Sequence, residues 1–276
     1  MPDATPEIPV ELSGEFAPTA PRAGGEWLII LAWRIGITVV VLAVWQLLSG
    51  RVIKPFWISS PLAIADQLGA WIATGELWLH VEVTLTETVL GFTFGAISGV
   101  AVGLTLGLNR RLATIVDPFI VALYSLPKIA LAPLFILWFG VGLTSKVVLS
   151  TFIVFFLVFY NTYAGTLAVE AELVDVLRLM GARPSQIVRK AILPSVLIWI
   201  FTGMKVSVPY ALIGAVVGEM MASNRGLGYL IEASAGQYDT GGVFAALFVL
   251  MIISTVLHGM LKLCEKRMLR WKDEGG

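Results

Sequence analysis

An all-α integral membrane protein is the fold class this sequence predicts, and three observations carry the prediction. Of its 276 residues, 57% are hydrophobic and 14% charged, with a mean hydropathy of +0.86. An ordinary soluble domain is roughly 45 to 50% apolar and about 25% charged. Charge-poor stretches run near 33–49, 86–108, 117–140, 147–169, 195–222 and 241–263, each close to the ~20 residues with which a helix crosses a bilayer. Lysine and arginine gather in alternate loops between those stretches, the signature of a fixed orientation in the membrane.

The first 26 residues hold Pro2, Pro6, Pro9, Pro18 and Pro21 with five acidic side chains. They contain no apolar run to serve as a signal-peptide core and read as a disordered cytoplasmic tail, 1–26. Segment 27–80 supplies the first span and an external helix. There Ser59-Ser60-Pro61 caps a stretch in which Leu62, Ala65, Leu68 and Ile72 recur at helical spacing, with Asp66 and Gln67 opposite. Trp57, Trp71 and Trp78 flank it. Because indole rings favour the headgroup level, the stretch fits an interfacial helix on the outer surface as well as it fits a packed connector.

The second span carries Gly91, Gly95, Gly99, Gly103 and Gly107, a four-residue period that strips one helix face of side chains and lets a neighbour approach closely. In the third, Lys128 lies between Pro127 and Pro133, and irregular backbone at membrane depth is tolerated only against protein or water. The longest polar interruption, Glu170 to Pro194, reads EAELVDVLRLMGARPSQIVRKAILP, and its spacing predicts two short helices around a turn. Leu173, Val176, Leu177 and Met180 recur at i, i+3, i+4 and i+7 on one face, with Asp175 and Arg178 off it. Gly181 suits a left-handed helix stop, Pro184 the first turn of the next helix, and Leu193-Pro194 the start of the fifth span. A loop this short has no core of its own, so an exposed apolar stripe on it implies a partner protein.

With the N-terminus inside, six crossings place Arg22, Arg110, Arg111, Arg178, Arg183, Arg189, Lys190, Lys262, Lys266, Arg267, Arg270 and Lys272 on the cytoplasmic side. Only Arg51, Lys54, Lys146 and Arg225 fall outside, and Arg34, Lys128 and Lys205 lie within spans. That asymmetry predicts both termini in the cytoplasm, with a core of spans over 81–265 and a second cytoplasmic tail over 266–276.

Several function classes are excluded. The net charge is zero, so nothing points to a nucleic-acid partner. A lone Cys264 rules out an intrachain disulfide, and His80 and His258 are too far apart in sequence to suggest a local metal site. No G-x-x-x-x-G-K-[ST] run occurs, so the chain lacks the loop whose N–H groups cradle nucleotide phosphates. No catalytic residue, cofactor or metal ligand is assigned.

The Glu170 to Pro194 loop carries a family resemblance. Asp175-Val176-Leu177, then Gly181 six residues after Asp175, then Leu193-Pro194, resembles the EAA motif of binding-protein-dependent ABC permeases, with Asp-Val-Leu in place of Glu-Ala-Ala and Ala191 in place of the usual Ile. Trp45-Gln46, Gly91-Phe92, Asp117-Pro118, Trp138-Phe139-Gly140, Asn161-Thr162-Tyr163-Ala164-Gly165, Gly203-Met204-Lys205 and Gly226-Leu227-Gly228-Tyr229 stand in family order. The resemblance covers about residues 40 to 272 and is closest to the nitrate, sulfonate, taurine and pyrimidine branch. It implies a six-helix ABC importer type I transmembrane domain in the bacterial inner membrane. It also implies three partners besides the membrane lipid: a second permease chain, an extracytoplasmic solute-binding protein, and an ABC ATPase that docks on the loop and uses the ATP. The coupling residues it implies are Leu173, Asp175, Val176, Leu177, Met180, Gly181, Leu193 and Pro194.

A translocation path is read from ionisable groups at membrane depth, which are costly there. Lys205 lies about eleven residues, roughly 16 Å, into the fifth span. Pro209 removes the hydrogen bond that would reach the Lys205 carbonyl. Tyr210 and Glu219 continue that region, and Lys128 joins them from the third span. Arg34, near the inner end of span one, is expected to extend to the headgroups. The alternative function, an ion-coupled secondary transporter, needs carboxylates near the midplane, and the one expected inside the spans is Glu219, near an end.

Overall fold

The computed structural model describes residues 26–269; the two expected tails, apart from Glu26 and 266–269, lie outside them. Helix α1 (Glu26–Leu48) is followed by a short α2 (Pro55–Ile58) and by α3 (Pro61–Thr74). The expected cap is present, since Ser60 Oγ accepts the Ala63 N–H at 3.2 Å and Pro61 occupies the first turn. One face of α3 is buried through Ile64 and Trp71, in a cluster with Leu212, Leu227, Leu230 and Ala246. The helix is thus packed against the bundle as well as carrying exposed apolar groups. Trp45 Nε1 donates to the Ile58 carbonyl at 3.1 Å, and Gln46 accepts the Leu62 N–H at 3.2 Å, which ties α1 to this edge.

Helix α4 (Glu76–Leu108) crosses next, then α5 (Arg110–Ser125), a 3-10 turn (Lys128–Leu131) and α6 (Ala132–Phe139). Helix α7 (Leu143–Leu167) returns, and α8 (Ala171–Leu179), α9 (Pro184–Ile187), a π turn (Val188–Ile192) and α10 (Leu193–Ala222) follow. The chain closes with α11 (Leu227–Gly236) and α12 (Thr240–Met268). Among the described residues, five helices are long and apolar enough to span a bilayer. The expected third span is a broken one: Arg110–Ser125 and Lys128–Phe139 meet at 84°. Pro127 explains the break, because it cannot donate a hydrogen bond and holds the preceding Leu126 in the extended region.

The centre of the bundle is α4, α7 and α10. The glycine stripe meets α7 along its length: a Cβ on Gly95 would lie 2.7 Å from Val154 Cβ and 2.8 Å from the Thr151 carbonyl, and one on Gly99 would lie 2.8 Å from the Phe155 carbonyl. Gly91, Gly103 and Gly107 face Ser150, Thr162 and Thr166 in the same way. Helix α10 approaches the other side of α7 through Gly203 and Gly214, which oppose Asn161 and Ser150. Ser150 Oγ donates to the Ala211 carbonyl at 2.9 Å across that contact. Small residues at the crossing let the two backbones come together, the packing that dispersion favours where lipid competes for apolar surface.

Three expected boundaries move. Helix α4 starts ten residues before 86, so the 80/81 division falls inside one continuous helix. The fifth span starts at Pro184, not near 195. Pro194 does not begin a helix: the Leu193 N–H bonds to the Val188 carbonyl, five residues back. A π turn of this kind widens the helix just before a proline whose ring would otherwise clash with the carbonyl four residues earlier.

Candidate functional site

Helix α8 carries the apolar stripe on its open side. Leu173, Val176 and Met180 are exposed and Leu177 is half-buried, with no core beneath them. Leu179, which the periodicity did not include, is 89% exposed. Asp175 lies off the stripe and pairs with Arg178 at 3.1 Å on the surface, a contact of this kind being worth only a few tenths of a kcal/mol. Gly181 has φ +78°, and the Ala182 N–H closes onto the Leu177 carbonyl at 3.0 Å, a Schellman-like stop. The Gln186 side chain then accepts the Arg183 N–H at 2.7 Å to start α9. From there the helix runs through the π turn, Leu193 and Pro194 into α10, so the loop is joined to a 39-residue helical rod, Pro184–Ala222.

At the far end of that rod lies a buried polar cluster. Glu219 is 1% exposed; its Oε1 accepts from Thr84 Oγ1 at 2.6 Å and its Oε2 from the Gly228 N–H at 2.6 Å. Thr84 Oγ1 also accepts the Leu227 N–H at 2.8 Å, and His80 Nδ1 accepts the Gly226 N–H at 2.9 Å. Beside it Lys146 Nζ sits 3.4 Å from Glu87 and donates to Ser223 Oγ at 2.9 Å. Helices α4, α7, α10 and α11 thus meet through charged and hydrogen-bonded groups with almost no water access. The cluster fixes the helix ends in register, because an unsatisfied polar group in this setting costs far more than a satisfied one gains.

The structure places the five expected path residues in different surroundings. Lys205 is ion-paired within the chain: its Nζ lies 2.7 and 2.9 Å from the two Glu265 oxygens of α12. Glu219 belongs to the cluster above. Pro209 lies inside α10, which stays helical through it, and Tyr210 is exposed on the same helix. Lys128 stands at the 84° break, donating to the Tyr124 carbonyl at 2.9 Å with its Nζ 4.3 Å from the Tyr124 ring centroid and 5.1 Å from that of Phe156.

Sequence reasoning missed three groups. Lys146 is buried inside α7, not in an outer loop. Glu265 answers Lys205 from α12, and Glu87 is a second fully buried carboxylate, so Glu219 is not the sole acidic group within the spans. The signal for Glu87 was present. His80, Thr84, Glu87 and Gly91 continue the glycine face of α4 toward its start, and a polar group on a face stripped for close packing is bound to be buried. Among the described residues, no group of three or more His, Cys, Asp or Glu is arranged to hold a metal ion.

The model of the binding-protein-dependent transport system inner membrane component matches residues 91–270. Among curated proteins, the riboflavin transport system permease protein RibX of Chloroflexus aurantiacus is 34% identical, over 89% of this chain and 87% of its own length. The formylaminopyrimidine transport permease protein ThiX of Halalkalibacterium halodurans is 31% identical over 85% and 94%, and the taurine transport system permease protein TauC of Escherichia coli 30% over 87% and 90%. A solved inward-facing form of the MetNI methionine ABC transporter matches with a TM-score of 0.60 at 24% identity, covering 71% of this chain and 97% of that one. The fold is therefore that of a type I ABC importer transmembrane domain, and the ion-coupled alternative falls. The chain belongs to the family of binding-protein-dependent transport system inner membrane components: it is a multi-pass ABC importer permease that works with an ATPase, which hydrolyses the ATP, and with a solute-binding protein.

Proposed function

We propose that this permease forms the path for a small polar organic solute of the sulfonate, taurine or pyrimidine type, and that the α8–α9 loop receives the ATPase. The observation that carries the coupling role is the open apolar stripe of α8 joined through the Gly181 turn to the Pro184–Ala222 rod. A stripe of this kind is stable only when a partner groove covers it. The helix that starts at Pro184, just past the Gly181 turn, and runs unbroken to the buried Glu219 cluster passes a rigid-body movement of the loop from one face of the membrane to the other. The loop and both termini face the cytoplasm, on the strength of the lysine and arginine asymmetry.

The working unit is a two-fold pair. Lys128 and the break at Leu126 and Pro127 lie on an open side of the single chain. An ammonium and a broken helix are costly against lipid at that depth, so a second chain or a water-filled path must cover them. Lys128 and the exposed Tyr210 are the path-lining candidates. Lys205 and Glu219, which have partners inside the chain, hold the bundle together instead.

Proteoliposomes containing the permease, its ATPase and its binding protein test this reading. Solute accumulates only with ATP and the binding protein present. Accumulation driven by a proton or sodium gradient without ATP would contradict it. Thermal-shift screening of the binding protein against sulfonates, taurine and pyrimidines names the solute.

A further inference from the structure

A cavity of about 470 Å³ opens between α2 with Ser59, the first turns of α3 and the start of α12, lined by Phe56, Ser59, Asp66, Gln67, Tyr238 and Asp239 among others. It lies at the end of the bundle where α10 finishes and α12 begins, opposite α8 and α9. Thr240 Oγ1 donates to the Phe56 carbonyl and so ties its two walls together.

Three independent features mark the cavity. Ser59 is only 4% exposed, yet it lines the space, and its hydroxyl makes no hydrogen bond among the described residues. Asp66 and Asp239 face the same space with no cationic partner among the described residues. Ser59 at φ 49° and Tyr238 at φ 58° are the two non-glycine residues with positive φ among the described residues. A surrounding structure must hold such backbones in place. Here they keep the Tyr238 ring exposed beside Phe56, with ring centroids 6.1 Å apart.

We propose that this cavity is the socket for a basic side chain on the solute-binding protein. The proposal rests on the importer reading above. A guanidinium suits this lining: its N–H donors match the carboxylates and the Ser59 oxygen, while its flat face stacks on an aromatic ring. The position favours a protein surface over the solute itself, because the socket opens at the rim and its lower wall leads into α11. The Asp239 N–H bonds to the Ser234 carbonyl of α11 at 2.8 Å, and α11 holds Glu219 of α10 through the Gly228 N–H. A protein seated at 238–241 therefore bears on the outer end of the rod whose inner end carries the ATPase loop.

The test titrates the reconstituted permease–ATPase complex with the binding protein that supports wild-type uptake. The readout is the concentration giving half of each complex's own maximal ATPase stimulation. The double variant Asp66→Asn/Asp239→Asn should raise that concentration about tenfold and flatten its salt dependence. An unchanged concentration and salt dependence would overturn the socket. A photo-reactive amino acid in place of Tyr238 gives a second reading that does not depend on the carboxylate variants folding well. Covalent capture of the purified binding protein supports the socket, whereas capture of phospholipid alone overturns it and assigns the cavity to a headgroup. Failure of the importer reading is separable, since it would appear as wild-type vesicles without ATP-dependent uptake.

Discussion

Glu219 shows how a single side chain holds several elements together. Both of its oxygens are used, by the Thr84 hydroxyl and the Gly228 N–H, and the group is sealed from water. Glu219→Ala removes the acceptor of two buried donors and opens a cavity. It should lower stability by about 3 to 5 kcal/mol, as deleting one member of a buried charged network does. Glu219→Gln keeps the shape but turns an amide toward one of the donors, for a smaller loss of about 1 to 3 kcal/mol. Thermal unfolding in detergent, followed by monodispersity, orders wild type above Gln above Ala. At this scale the sequence was partly legible. A glutamate in a span announced itself as costly, but its hydrogen-bond donors come from 135 and 9 positions away, and no local pattern indicates which distant backbone N–H will turn inward. Lys205 was legible as a buried charge for the same reason, while its partner Glu265 lies just past the last charge-poor stretch, 241–263, in the last turns of α12, where a carboxylate draws no notice.

Among the elements, the glycine face of α4 was fully legible, because period and composition alone fix which face can approach a neighbour. Gly95→Leu places atoms where the Val154 side chain and the Thr151 carbonyl already stand, and the carbonyl is backbone that cannot swing aside. The expected cost is about 1 to 3 kcal/mol or more, read as a fall in melting temperature and in folded yield. Gly69→Ala, in α3, meets nothing within 4 Å and should be neutral or stabilising by up to about 1 kcal/mol through helix propensity. The α8–α9 turn was legible too, through its Gly and Pro. Gly181 has open space around it but φ +78°, so Gly181→Val suffers backbone strain of about 1 to 3 kcal/mol without a clash. Relief of that strain reorients α9. The variant should insert normally yet lose co-purification with the ATPase or uncouple hydrolysis from uptake. The π turn was not legible: a proline before an apolar run reads as a helix start, and only the helical Pro184–Ile187 segment preceding it reveals that the chain was already wound.

At the scale of the whole molecule, the bundle is asymmetric in what it covers. The α4, α7 and α10 core is closed by glycine contacts and by the Glu219 cluster, whereas α1, the broken α5–α6 span and the α8 stripe are open. Helix α1 and the broken span have lipid or a second copy to face, and native mass measurement in mild detergent should return a particle with two permease chains. The stripe is outside the bilayer under the proposed topology, and the proposed coupling role gives it the ATPase to face. Labelling of cysteines placed at 110 and at 225, in a background lacking Cys264, should show opposite sidedness. The most direct measurement sets hydrolysis against uptake in proteoliposomes carrying wild-type permease or Leu177→Asp at matched insertion. A charge at that half-buried point of the stripe costs several kcal/mol against an apolar groove. The predicted result is ATPase association and solute uptake falling together in the variant, while its melting temperature stays at the wild-type value. Wild-type association and uptake in Leu177→Asp would contradict the coupling assignment and, with it, the account of α10 as the rod that carries ATPase movement across the membrane.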